Sequence, residues 1–233
     1  MTKEEKEGEI INYYDKIPKA MLNTPDNPNF KKHKINTPFK MVIQAYSGGG
    51  KTNFLLNLLH LFSSGKGTFA SIHIITANKD EPLYNWLAKK SDQIVISEGV
   101  EKTPNIDDFD KNGNHLIVFD DLVLTKDQRV IENIYVRGRK QNCSVIYISQ
   151  NYYKIPPTIR RNLDYLVLLK LSGNRDIKTI LSESSLGVSK EQLLGMYQYA
   201  TKQKFSPLVI DMVADPENRF RKGLLEIIDP DDF

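Results

Sequence analysis

The chain has a single cysteine, Cys143, in 233 residues. An intrachain disulfide is therefore excluded, and a reducing compartment is the expectation. Long apolar runs are also missing: none approaches the ~18 residues of a membrane-spanning helix. The opening "MTKEEKEGEI" is unlike a secretory signal, so a site of work inside a cell is expected. A bulk excess of one charge is absent as well. With 32 basic and 29 acidic residues the net charge is +3, too small to attract nucleic acid by overall charge, so any such partner must be met by a local patch. Internal repeats and low-complexity tracts are lacking, which removes solenoids and fibres. What is there is ordinary for a folded chain: 40% hydrophobic and 26% charged residues, in a length that fits one domain, or one domain with an appendage.

Residues 1 to about 38 are charged and then carry four prolines, which argue against one long helix. An extended arm is expected, with one short helix around Glu7 to Asp15. The domain proper is expected over 39–233, with a helical and strand extension from about 172. Five near-continuously apolar runs follow the arm: "FKMVIQAY", "SIHIITA", "HLIVFDD", "SVIYISQ" and "DYLVLLKL". Such runs suit strands covered on both faces. A weaker run, "QIVIS", lies between the second and third. "GKTNFLLNLLHLFSS", "DEPLYNWLAKKS" and "TKDQRVIENIYVRGRKQN" have helical character, the last with Val130, Ile131, Ile134 and Tyr135 on one face. Alternation of strand and helix predicts an α/β fold with right-handed crossovers around a mainly parallel sheet. Beyond Lys170 the pattern blurs into a helix over "SKEQLLGMYQYATKQK", a strand over "PLVIDMV" and an acidic tail "DPDDF".

The first strand runs into "AYSGGGKTN", residues 45–53. A phosphate-binding loop needs backbone N–H groups turned toward the anion, a lysine for the β- and γ-phosphates, and a hydroxyl for Mg²⁺. Gly48, Gly49 and Gly50 can form the nest, Lys51 opens the next helix, and Thr52 supplies the hydroxyl. Ala45, Tyr46, Ser47 and Asn53 complete the candidate nucleotide-binding stretch. Ala45 stands where the usual pattern Gly-x-x-x-x-Gly-Lys-[Ser/Thr] has its first glycine. The plain alternative is a flexible glycine turn, which seldom leads straight into Lys-Thr and an apolar helix.

"HLIVFDD" ends in two aspartates. Asp120 is the candidate Mg²⁺ ligand and Asp121 the candidate general base for the attacking water; a solvated acidic turn is the alternative. Gln150, at the tip of "SVIYISQ", is placed to contact the γ-phosphate or the lytic water, or else simply ends a strand. "TANKD" at 76–80 is near the Asn-Lys-x-Asp pattern of guanine readers, but Glu81 occupies its fourth position. Adenine is therefore the expected base. Arg137, Arg139, Lys140, Lys154, Arg160 and Arg161, with Tyr152 and Tyr153 among them, are expected around one strand end. One arginine there could act in trans on a neighbour's γ-phosphate and others could meet DNA phosphates, or each could cap a helix end.

The stretches "PFKMVIQAYSGGGKTNFLLNLL", "HLIVFDDLV" and "RGRKQNCSVIYISQNYYKIPPTIRRNLDYLVLLK" together resemble the genome-packaging ATPases of large DNA viruses and virophages, the poxvirus-like branch of the FtsK–HerA superfamily. They cover roughly residues 38 to 171 in that family's order. The branch usually carries glycine at the position of Ala45, and often Ser-Gly-Ser-Gly where this chain has Ser-Gly-Gly-Gly. The resemblance implies a RecA-like, additional-strand P-loop fold and a Mg-dependent ATPase that moves double-stranded DNA into a capsid. It implies a homo-oligomeric ring of roughly five or six subunits, at work in the host cytoplasm or in the virion, with a capsid or membrane component as partner at the packaging vertex. By family pattern Lys51, Thr52, Asp120, Asp121 and Gln150 are the ATP machinery. Arg139 is the first choice for the trans arginine, with Arg137 and Arg160 behind it. The arm 1–38 is a possible subunit contact. Another DNA motor, such as a helicase or conjugative pump, is the nearer rival; a small-molecule phosphotransferase or an inactive phosphate-loop scaffold is the farther one.

Overall fold

Segments that are apolar at every position have no face to turn to water, and here they form the interior of the sheet. The computed structural model describes residues 10–18, 21, 25–173 and 175–233. The strands are β1 (Lys40–Gln44), β2 (Ser71–Thr76), β3 (Ile94–Glu98), β4 (His115–Asp120), β5 (Cys143–Ser149), β6 (Tyr165–Leu168), β7 (Leu208–Asp211), β8 (Phe220–Lys222) and β9 (Glu226–Ile227). Among the described residues they make one sheet in the order β3-β2-β4-β5-β1-β6-β7-β8-β9. The first six run parallel and the last three join antiparallel at one edge. The sheet is thus mixed but mostly parallel, and β5 is inserted between β1 and the acidic strand β4. That insertion is the additional-strand arrangement that the family resemblance implies.

Helices cover both faces. Alternate residues of β1 divide between them: Met41 and Ile43 pack with α2 (Lys51–Phe62) and α3 (Pro82–Ala88), while Val42 faces α4 (Arg129–Arg137), α6 (Arg175–Glu183) and α7 (Lys190–Ala200). Two short helices, α1 (Phe30–His33) and α5 (Pro157–Arg160), complete the α set among the described residues. In α2, Phe54, Leu55, Leu58, Leu59 and Phe62 recur at helical spacing and are all buried. Each such side chain contributes about 1.5–3 kcal/mol when fully buried. In α4, Ile131, Ile134 and Tyr135 are buried as expected, but Val130 is 44% exposed. It lies about 100° around the helix from Ile131, off the stripe that meets the sheet.

Residues 27–36 pack onto this body. Asn29 donates to the carbonyls of Phe62 and Lys66 at 3.0 Å, the Asn36 N–H donates to the Tyr165 hydroxyl, and His33 and Ile35 are buried. The short helix expected around Glu7–Asp15 falls largely outside the described residues; within them, Tyr13–Lys16 forms a 3-10 turn. The acidic end is held as well: Pro230–Asp232 forms a turn, and the Phe233 ring lies 5.6 Å from that of Tyr199. No helix among the described residues is long and apolar enough to cross a membrane.

Candidate functional site

Parallel strands bring their C-terminal ends to a single edge, and the register decides which residues meet there. Gln44 pairs with Ser149, and Asp120 with both Ile148 and Thr76. The loop after β1, the aspartates after β4 and Gln150 after β5 therefore converge. They line a cleft of about 450 Å³ together with Thr76, Ala77, Asn78, Asp80, Glu81 and Pro82. The Asn78–Glu81 segment is thus part of the phosphate end of the cleft.

The loop is pinned at both sides. The Ala45 N–H donates to Ser149 O of β5 at 3.3 Å, and the Tyr46 N–H donates to Lys170 O beyond β6 at 2.9 Å. Gly48 and Gly50 adopt φ of 74° and 94°, left-handed values that suit glycine. Gly49 is needed for another reason: a β-carbon there would lie 2.7 Å from the Ala45 methyl and 2.9 Å from Tyr46 O. Ala45 itself is fully buried. Lys51, the first residue of α2, donates to Ala45 O at 3.3 Å and to Tyr46 O at 3.1 Å. Burial pushes its ammonium pKa down, and the carboxylates of Asp120, Asp121 and Glu81 pull it back up. A cation that faces three carboxylates across a cleft, at a helix N-terminus, fits a polyphosphate with its metal.

The two aspartates differ sharply. Asp120 is buried and accepts a hydrogen bond from the Tyr84 hydroxyl at 2.5 Å. Burial raises its pKa to about 6; the Tyr84 bond and the Lys51 charge oppose this, while Asp121 and Glu81 add to it. Tyr84, buried against that carboxylate, has its own pKa pushed far upward and stays a donor. Asp121 is exposed, with φ 56° and ψ 27°, a left-handed conformation that aspartate tolerates better than most residues. Its carboxylate oxygens each lie 3.3 Å from Gln150 Nε2. Gln128 braces this turn by donating to Leu122 O and Thr125 O, and Tyr147 of β5 donates to Gln128 in turn.

Asp120 and Thr52 offer hard oxygen donors, as Mg²⁺ requires. Mg²⁺ binds through one or two carboxylates and substrate phosphates, and this donor set is of that kind. The raised Asp120 pKa carries a prediction. The folded chain holds this proton to higher pH than the unfolded chain, so the group adds stability as pH falls from about 6 toward 4 and opposes folding above that window. In metal-free buffer at pH 7.5, Asp120→Asn should raise the unfolding free energy by on the order of 2 kcal/mol, with Tyr84 still able to donate. The difference between variant and parent should close near pH 4; thermal midpoints at the two pH values check it.

The basic residues are not all at one strand end. The arginines share the edge opposite the loop, Arg137 and Arg139 where α4 ends and β5 begins and Arg160 and Arg161 shortly before β6, whereas Lys154 follows the C-terminal end of β5. Seven strand residues, about 20 Å, separate the two groups. Arg139 is 65% exposed in its side chain and only 3.7 Å from Asp164. Arg137 is held at 3.0 Å by both oxygens of Asp107. Arg160 has 9% side-chain exposure, pairs with Glu183 at 3.0 Å and lies over the buried Tyr152 ring. Of the three, Arg139 is the least committed, and Arg160 is a buried structural ion pair. Tyr152 is fully buried and faces no partner surface.

Three site residues escape the sequence reading: Tyr84, Glu81 and Asp176. Asp176 accepts from buried Gln44 at the end of β1 and from the backbone N–H groups of Tyr152 and Tyr153, so it couples the phosphate-loop strand to the turn after Gln150. A tyrosine on the buried stripe of α3 signals a hydroxyl in want of a partner; nothing in the sequence says that the partner is Asp120.

The family described as Poxvirus A32 protein matches residues 27–219. The DNA packaging protein OPG160 of Monkeypox virus is 27% identical over 198 residues, covering 78% of this chain and 65% of that protein. Its Vaccinia virus (strain Copenhagen) counterpart is 27% identical, with 78% and 72% covered. The chain thus spans a little under two thirds of the Monkeypox virus relative. Among solved structures, the DNA-packaging ATPase B204 of Sulfolobus Turreted Icosahedral Virus superposes with a TM-score of 0.58 at 17% identity, covering 76% of this chain and 94% of that one. The genome packaging NTPase B204 of Sulfolobus turreted icosahedral virus 2, in complex with ATP-gammaS, gives 0.56 at 13% identity over 83% and 100%. At such identities the likeness shows the fold, that of a P-loop ATPase.

Proposed function

This chain belongs to the Poxvirus A32 protein family, and from that membership and the geometry of its site we propose an ATP-hydrolysing motor that packages double-stranded viral DNA. The observation that carries the reading is the meeting of Lys51, Asp120, Asp121 and Gln150 in one cleft at the C-terminal ends of β1, β4 and β5. Loop N–H groups and Lys51 hold the β- and γ-phosphates of ATP. Mg²⁺, on Thr52 and Asp120, would neutralise charge that develops on the phosphates. Asp121 accepts a proton from the attacking water as its oxygen bonds to the γ-phosphorus and the bond to the β-phosphate oxygen breaks, which leaves ADP and phosphate. Gln150 holds the Asp121 carboxylate in place for that transfer.

The chain acts, in this reading, as a homo-oligomeric ring in the host cytoplasm or in the virion, with a capsid or membrane component as its docking partner and the arm 1–38 contributing to subunit contact. Arg139 lies about 20 Å from its own subunit's loop, so any catalytic role it has must be in trans. Support comes from the relatives named as DNA packaging proteins and from the packaging ATPases that share the fold. The test is ATP turnover with and without double-stranded DNA, alongside the mass of the assembled particle. DNA-stimulated turnover by a closed oligomer is expected; a monomer whose turnover ignores DNA would point to a phosphotransferase instead. In the same assay, mixing Arg139→Ala with Lys51→Ala subunits should restore part of the activity that each lacks alone. No recovery in rings shown to be mixed removes Arg139 from the site.

A further inference from the structure

We infer that Phe205 is the platform on which the base of the bound nucleotide stacks, so that the site takes purine nucleotides with little preference between adenine and guanine. The inference rests on the nucleotide-site reading above and extends it from the phosphates to the base.

Topology puts Phe205 beside the loop. It lies in the turn between α7 and β7, and β7 runs antiparallel to β6, with Leu208 opposite Leu168. The turn therefore sits at the C-terminal edge of the parallel strands, next to the phosphate loop. Contact is direct: a β-carbon at Gly50 would overlap the Phe205 ring at Cδ1 and Cε1. The side is the informative part. β5 and β4, with Asp120, Asp121 and Gln150, flank β1 on one side, and β6 and β7 flank it on the other. A nucleotide cradled by residues 45–52 with its γ-phosphate toward Asp121 thus has its base end toward the β7 side, where Phe205 stands. The side chains that line the phosphate cleft include no aromatic ring to serve the base instead.

Two further features of Phe205 lack a packing explanation. Its φ is 68°, a left-handed value that is an outlier for a bulky residue. Strained backbone of this kind gathers at ligand sites. The residue is also 43% exposed and belongs to neither buried core cluster. Strain that leaves an aromatic ring at the surface is not repaid by burial, but is accounted for by a ligand that covers the ring. The Lys204 ammonium lies 4.8 Å from the ring centroid; on a flexible side chain at an exposed site, it is readily exchanged for the face of a base. Stacking is tolerant, because every base offers a π face. The Asn78–Glu81 segment, whose sequence is near that of a guanine reader, lines the phosphate end and so cannot discriminate the base.

The experiment compares the full chain with Phe205→Gly and Phe205→Trp, measuring Kd for ATP, GTP and inorganic tripolyphosphate. Glycine accepts a left-handed φ without strain, so Phe205→Gly should keep or raise the thermal midpoint while it deletes the ring. ATP and GTP should each bind about tenfold or more weakly to it, with tripolyphosphate unchanged. Phe205→Trp should retain affinity for both nucleotides and show fluorescence quenching with ATP but not with tripolyphosphate, beyond any signal of the parent. Equal losses for ATP and tripolyphosphate, or no loss for ATP, would overturn the platform. A parent chain that binds ATP more than about tenfold tighter than GTP would overturn the stated lack of preference, since stacking alone cannot supply such a ratio. Failure of the parent to bind either ATP or tripolyphosphate would instead overturn the nucleotide site itself, and the platform with it.

Discussion

Lys51→Ala is expected to lower ATP turnover by at least about 10³-fold while the thermal midpoint moves little. The side chain is half-buried, belongs to neither apolar cluster, and donates to two carbonyls of its own loop, those of Ala45 and Tyr46. Loss of these two bonds removes a modest amount of stability, about 1 kcal/mol each at most. Turnover depends on the same ammonium quite differently. In the proposed reaction it faces negative charge that grows on the transferring phosphoryl group, and removal of one such preorganised donor typically costs about 10²–10³-fold. Here the deletion also leaves Asp120, Asp121 and Glu81 without their opposing cation, so polyphosphate binding falls as well. Turnover assays and calorimetric binding on one preparation separate the two effects. Retention of more than about one tenth of the parental rate would remove the loop from the mechanism.

Asp121→Asn should have the second largest effect, and of a different shape: a kcat about 10²–10⁴-fold lower with nucleotide affinity near the parental value. The replacement is close to isosteric, and asparagine accepts the left-handed conformation that residue 121 adopts. The neighbouring Gln150 amide still finds an acceptor on it. What disappears is the carboxylate that Gln150 holds and that the proposed reaction uses to take a proton from water. A variant that binds ATP as tightly as the parent and hydrolyses it nearly as fast would assign the base role elsewhere in the cleft. The contrast with Lys51→Ala is diagnostic, because one substitution acts on binding and chemistry together and the other on chemistry alone.

The sequence made the interior of this fold easy to read and its periphery hard. β1, β2, β4, β5 and β6 carry apolar residues because helices press on both faces, and that burial is written into every position of β4 and β5. β3 is weak in sequence for the matching reason: it is the edge strand and leaves Val95 45% exposed. β8 and β9 are three and two residues long; β8 exists through pairing with β7 and β9 through pairing with β8, contacts that no local pattern announces. Helix α6 has only two buried apolar residues, Ile177 and Ile180, to mark its inner face. The candidate set was legible because Lys51, Thr52, Asp120, Asp121 and Gln150 each end or follow a readable strand. Tyr84 and Asp176 were not, because their contacts span long separations, 36 residues for Tyr84–Asp120 and 132 for Gln44–Asp176. The basic residues were harder to place because Lys154 follows β5 while the arginines precede β5 and β6, so neighbours in sequence lie at both edges of the sheet.

The contact between Ala45 and Gly49 gives the two departures from the family's loop a common origin. Ala45 supplies a methyl where the branch has glycine, and Gly49 lacks a side chain where the branch often has serine. The two positions touch, and a β-carbon on both would lie 2.7 Å apart. With alanine at 45, this narrow joint has room for no side chain at 49. A linear motif shows two separate positions; in space they are one contact.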